Sequence, residues 1–184
     1  MQVGIKTTHK YRHQRMIPQR ELWADGCLWF SDEEKEDVIF ATDNDTYSSN
    51  AEKGLFILKY FADKDFDWLV IACDDTYLNI PNIEKKLKEF DINELQLIGN
   101  KVNYWAVDPG LDYVSGMCII MNKKTLTKLV KYLGDPISIW DDVDIGILAR
   151  KAKIKVTHIN GIYPFKWAES EVKEALAIHK YYVK

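Results

Sequence analysis

The stretch Phe66-Asp67-Trp68-Leu69-Val70-Ile71-Ala72-Cys73-Asp74-Asp75-Thr76-Tyr77-Leu78 decides the fold. Trp68 to Ala72 are apolar without a break, which predicts a strand covered on both faces, as in a parallel sheet. Asp74 and Asp75 follow at once, and adjacent carboxylates cannot stay inside such a strand. The chain therefore leaves the sheet there, at a strand's carboxyl end, where open α/β sheets bind ligands. Two acidic side chains at that point suit a hard divalent cation, and a cation suits a diphosphate. The plainer alternative is a turn, since Asp accepts hydrogen bonds from its own backbone.

Outward from this stretch, strands and helices alternate. Strands are predicted at Val3 to Thr8, Gly26 to Phe30 and Asp37 to Ala41, with a short helix from about Pro18 to Ala24 between the first two. A helix capped by Ser49 or Asn50 runs to Phe61, and another opens at Pro81 with Ile83, Leu87 and Phe90 on one face. Leu95 to Ile98 and Lys101 to Ala106 read as two short strands. Tyr113 to Met121 is strand-like but holds Ser115-Gly116, the mark of a bulge or a close backbone approach. Helices at Leu126 to Leu133 and Trp140 to Ala152 precede a strand, Ile154 to Ile159, in which His158 reads as a core histidine. Lys166 to Lys184 reads as a helix with an aromatic, basic tail. The pattern predicts one α/β domain over residues 1–184, a mixed, mostly parallel sheet flanked by helices.

Composition narrows the function. With 25 Lys and Arg against 28 Asp and Glu the net charge is -3, so no global field favours nucleic acid. Cys27, Cys73 and Cys118 are scattered and odd in number, which argues for a reducing compartment rather than a disulfide framework. No zinc spacing, P-loop or Gly-x-Gly-x-x-Gly occurs. No run spans a membrane, and no apolar leader opens the chain. A cytoplasmic enzyme of bacterial or viral type is expected, unless the chain is part of an anchored protein.

Three acidic clusters remain: Asp74-Asp75, Asp141-Asp142-Asp144, and Asp43 with Asp45. If the first two face one crevice, one can hold a metal while the other acts as a base. That division of labour suits sugar transfer from a nucleotide-diphosphate sugar, the cation stabilising the leaving diphosphate. A metal-dependent nucleotidyltransferase, or a degenerate module that binds a nucleotide sugar or glycan without turnover, uses the same parts. Trp105, Trp140 and Trp167 read as core residues, with sugar stacking the alternative.

The chain resembles the fringe-like β1,3-glycosyltransferases, the group that includes animal fringe and the core β1,3-galactosyltransferases. The resemblance runs in order through Ile5-Lys6-Thr7-Thr8, Arg15, Trp23, Trp29-Phe30-Ser31-Asp32, Lys53, Trp68 to Leu78, Tyr113-Val114-Ser115-Gly116-Met117 and Trp140-Asp141-Asp142-Val143-Asp144-Ile145-Gly146. It implies a GT-A (Rossmann-like) fold, a donor that is usually a UDP-sugar, a glycan acceptor, and an inverting displacement with Mn²⁺ (or Mg²⁺). By match, Asp75 is the metal ligand, Asp74 its neighbour toward the ribose or donor sugar, and Asp142 the base. Lys6, Thr7, Arg15, Asp32 and Lys53 line the nucleotide pocket, and Ser115 and Gly116 form the loop beneath donor and acceptor. Gly161-Ile162-Tyr163-Pro164 lacks the histidine that fringe has there, so the metal shell falls to His179. The family motif usually has three acids; here the first is Cys73.

Overall fold

The computed structural model describes residues 1–103, 109–164 and 172–180. In chain order the strands and α-helices are β1 (Gln2–Lys6), α1 (Ile17–Leu22), β2 (Leu28–Ser31), β3 (Ile39–Phe40), α2 (Ser49–Phe61), β4 (Trp68–Cys73), β5 (Thr76–Leu78), α3 (Ile80–Leu87), β6 (Leu97–Asn103), β7 (Asp112–Asn122), α4 (Lys123–Leu129), α5 (Asp141–Lys151), β8 (Val156–His158), β9 (Ile162–Tyr163) and β10 (Ala177–His179). Seven strands form the main sheet in the order β3-β2-β1-β4-β7-β6-β8. Only β7 runs antiparallel to its neighbours, β4 and β6; the other pairings are parallel. This is the mixed, mostly parallel α/β sheet expected.

β4 is buried along Trp68 to Ala72, as its unbroken apolar run requires. Strand alternation sends Val70 and Ala72 into a core with Ile5, Met16, Trp29, Ile98 and Ile120. Leu69 and Ile71 face the opposite core with Phe30, Ile57, Leu58, Phe61 and Ile145. Strand order reverses between β1 and β4, so their carboxyl ends open a crevice. Because β7 points the other way, its amino-terminal half lies at the same edge of the sheet. There Gly99 pairs with Ile119 and Lys101 with Val114. Four residues of β7, Ser115 to Cys118, thus face Asn100 alone, which is the bulge predicted at Ser115-Gly116.

Several expectations are corrected. Leu97–Asn103 is one strand rather than two, since β7 gives it a continuous partner on both sides of the bulge. Residues 104–108, with Trp105, and 165–171, with Trp167, lie outside the described residues. Ala177–His179, expected within a helix, is a strand between β5 and β9, where Ala177 and Ile178 are fully buried. His158 is exposed at the end of β8, a sheet-edge strand, and its Nδ1 accepts from the Lys101 amide at 3.2 Å.

α5 lies close against β7. A Cβ on Gly146 would stand 2.5 Å from the Cβ of Tyr113. Helix propensity alone favours Ala over Gly by about 1 kcal/mol. Gly146→Ala is nevertheless expected to destabilise the protein, by about 1–3 kcal/mol as overpacking does. Urea unfolding gives the sign directly; a stabilised variant would refute the close packing.

Candidate active site

A cavity of about 500 Å³ fills the crevice. Lys6, Thr7, Arg15, Lys53, Asp74, Asp75, Ser115, Gly116, Asp142 and His179 line it, drawn from β1, β4, β7, β10, α2, α5 and the turns beside them.

On one wall, Asp74 accepts from the Thr7 hydroxyl at 2.9 Å and pairs with Arg15 at 3.0 Å. Burial outweighs these partners and raises its carboxyl above the usual range. The Arg15 guanidinium lies 3.6 Å from Asp75 Oδ2 and stacks over the Tyr11 ring. Asp75 Oδ2 is also 3.2 Å from His179 Nε2, whereas Asp75 Oδ1 is buried without a hydrogen-bond partner among the described residues. Burial pushes the Asp75 carboxyl up, but His179 and Arg15 overcome it and hold it low. His179 Nδ1 is 2.9 Å from the Pro164 carbonyl. A carbonyl only accepts, so the proton sits on Nδ1 and Nε2 faces the acid. Asp75 raises the His179 imidazole above its ordinary value. His179 arrives because β10 pairs antiparallel with β5, setting it opposite Thr76, next to Asp75.

The opposite wall is the amino end of α5. Asp141 forms a buried ion pair with Lys6. Burial opposes the Lys6 charge, yet Asp141 outweighs it and the ammonium is held above its ordinary value. Asp142 Oδ2 accepts from the Gly116 amide at 2.9 Å and Oδ1 from the Val143 amide at 2.9 Å. Burial first, and then the charge of Asp141, push the Asp142 carboxyl up to about 6. Asp144 turns away, accepting from the Ile137 and Ser138 amides at 3.0 and 2.9 Å. The cluster read as one unit in the sequence thus has three separate fates.

Asp32 does not line the cavity. Its buried carboxylate accepts from the Thr8 hydroxyl at 2.6 Å and the His9 amide at 2.8 Å, with Lys53 Nζ at 3.7 Å, so it secures the turn after β1. Burial would raise it, but these partners bring it down to about 2. Desolvation lowers the Lys53 ammonium in turn. Cys73 Sγ donates to the Gly116 carbonyl at 3.4 Å, and burial, more than the neighbouring acids, pushes its thiol up to about 12. Sequence reasoning missed the Lys6–Asp141 pair. The available signal was a lysine at the end of an interior strand, which cannot be buried unpaired.

Among the described residues, no group of three His, Cys, Asp or Glu side chains is placed to hold a metal ion. Asp75 and His179 could supply two donors to such an ion. The unpartnered buried Oδ1 of Asp75 and the oriented Nε2 of His179 fit a divalent cation.

Lys6→Met would leave Asp141 buried without its counter-charge. The expected loss is about 3–5 kcal/mol, as for other broken buried pairs. The double variant Lys6→Met/Asp141→Leu is expected to recover most of it. Thermal unfolding of both checks this, and a single variant as stable as the natural protein would contradict it.

The Fringe-like family model matches residues 1–171. A human β-1,3-glucosyltransferase is 24% identical over 170 residues, a match covering 85% of this chain and 34% of that protein. The chain therefore spans about a third of the length of that curated relative. The bifunctional glycosyltransferase WbbM superimposes with a TM-score of 0.56 at 13% identity, covering 98% of this chain and 45% of that one. A glycosyltransferase involved in glycosylation of the major capsid of PBCV-1 does so with a TM-score of 0.53 at 14% identity, covering 100% and 95%. The fold is GT-A.

Proposed function

The chain belongs to the Fringe-like family, and from that premise we propose that it is a metal-dependent, inverting glycosyltransferase. It moves a sugar from a nucleotide-diphosphate donor, a UDP-sugar, to a hydroxyl of a glycan acceptor. One observation carries this reading: a carboxylate with a partnerless buried oxygen, Asp75, shares its cavity with a carboxylate tuned for proton uptake, Asp142.

Asp75 and His179 would hold the cation. A carboxylate beside an imidazole suits a transition ion such as Mn²⁺ better than Mg²⁺, which prefers oxygen ligands throughout. When bound, the cation neutralises charge on the departing diphosphate. Arg15 and Lys53 add positive charge to the cavity. The Gly116 and Val143 amides fix both Asp142 oxygens in place. As the acceptor oxygen bonds to the anomeric carbon, its proton passes to Asp142. The bond from that carbon to the diphosphate oxygen breaks, and the nucleoside diphosphate leaves. A pKa near the working pH suits a general base.

Calorimetric titration of UDP with and without Mn²⁺ tests the donor side. Metal-dependent binding is expected in the natural protein and is lost in Asp75→Ala; no UDP binding under any condition would exclude the UDP donor. Metal-dependent UDP binding with no transfer to any acceptor would favour the binding-module reading, to which the neutral Cys73 thiol in the acidic motif points.

For the base, Asp142→Asn is expected to lower turnover by about 10²–10⁴-fold while leaving UDP binding intact. Asp142 is ionised above its pKa of about 6, so natural turnover should fall as pH drops through that value. Unchanged turnover in the variant would exclude Asp142 as the base.

A further inference from the structure

Trp140 is a large aromatic that is 37% exposed although it lines the central cavity. Much of that cavity is charged or hydroxylated: Lys6, Thr7, Asp74, Asp75 and Asp142 are examples. The loop bearing Trp140 is tied down from behind. Buried Asp144 accepts from the Ile137 and Ser138 amides at 3.0 and 2.9 Å. The Ser138 hydroxyl accepts from the Trp140 amide at 3.0 Å and donates to the Trp140 carbonyl at 2.8 Å. The same carbonyl accepts from the Asp144 amide at 3.1 Å. Three of these bonds fix the backbone of Trp140, and the two to the Ile137 and Ser138 amides hold the turn before it. Core packing, the default role of a Trp, requires neither the exposure nor the tether.

We propose that Trp140 is the platform on which the acceptor sugar lies, and that Asp144 is a positioning residue that holds it there. The ligand class follows from the wall's chemistry. A pyranose has an apolar C–H face and a polar rim. The indole takes the face, and the rim hydroxyls meet the acidic groups around it. Trp140 lies two residues before Asp142 at the start of the same helix, and both line the cavity, so a sugar on the ring lies on the same wall as the base. This rests on the glycosyltransferase reading, and it adds to it the acceptor subsite and the rigid support behind that subsite.

The test is a titration of protein labelled with ¹⁵N at its Trp indoles, with the Trp140 signal assigned by its loss in Trp140→Phe. The probes are methyl β-D-galactopyranoside, methyl β-D-glucopyranoside and methyl N-acetyl-β-D-glucosaminide, each with and without saturating UDP. At least one glycoside is expected to shift the Trp140 signal, and UDP alone is not. For that glycoside, Trp140→Ala should weaken binding about tenfold or more, whereas Trp140→Phe should stay within about threefold. Asp144→Asn should broaden or split the Trp140 signal and weaken glycoside binding without changing UDP affinity, which a merely structural residue would not do selectively. The proposal is overturned if no glycoside moves the signal, if Trp140→Ala binds as the natural protein does, or if UDP alone produces the shift. Failure of UDP to bind would instead strike at the donor assignment, and the glycoside titration would still be read without UDP.

Discussion

The ion pair between Lys6 and Asp141 is the interaction on which the rest of the site depends. It ties the last residue of β1 to the first residue of α5 inside the protein, across 135 positions of sequence. Two opposite charges at that depth are tolerable only together. Their pairing therefore fixes how α5 approaches the sheet, and with it where Asp142 lies. The backbone conforms to the same contact. A Cβ on Gly54 of α2 would stand 2.3 Å from the Cβ of Asp141, so the two helices can meet there only because that position is glycine.

Charge is distributed over the cavity in an ordered way. Asp141 is paired with Lys6, Asp74 with Arg15, and Asp75 with Arg15 and, when the imidazole is protonated, with His179. Among the described residues no cation is in direct contact with Asp142, which is satisfied by two backbone amides, one of them from the bulge in β7. That difference separates the acids chemically. Asp75 is held low, while Asp142 is held high, which is why the proposed cation and proton roles fall to different acids. Like side chains thus acquire different roles from their surroundings alone.

The bulge and Cys73 belong to one arrangement. Among the described residues β7 alone runs against the other strands of the main sheet, and this brings Ser115 and Gly116 to the edge where β1 and β4 end. The Gly116 carbonyl accepts from the Cys73 thiol, and its amide donates to Asp142. One peptide segment therefore links the end of β4 to the start of α5. A neutral thiol can sit between the Lys6–Asp141 pair and the Asp74–Asp75 turn without adding a further negative charge to a crowded acidic site.

The sequence by itself determined the features that are local. An unbroken apolar run set β4 in the interior, the Asp pair marked its exit, alternating periodicities implied a mostly parallel sheet, and Ser115-Gly116 marked the bulge. Each follows from side-chain period or from the cost of burying charge, which neighbouring residues alone can reveal. The tertiary structure decided the rest. Asp32 secures a turn instead of lining the cavity. His179 sits on a strand 104 positions from the acid it faces. Asp141, Asp142 and Asp144, adjacent on one helix turn, pair respectively with a strand, a bulge and a loop. Such partners are selected by strand order and direction, which bring distant residues together, and no periodicity in the chain encodes which of three neighbouring carboxylates will meet which of them.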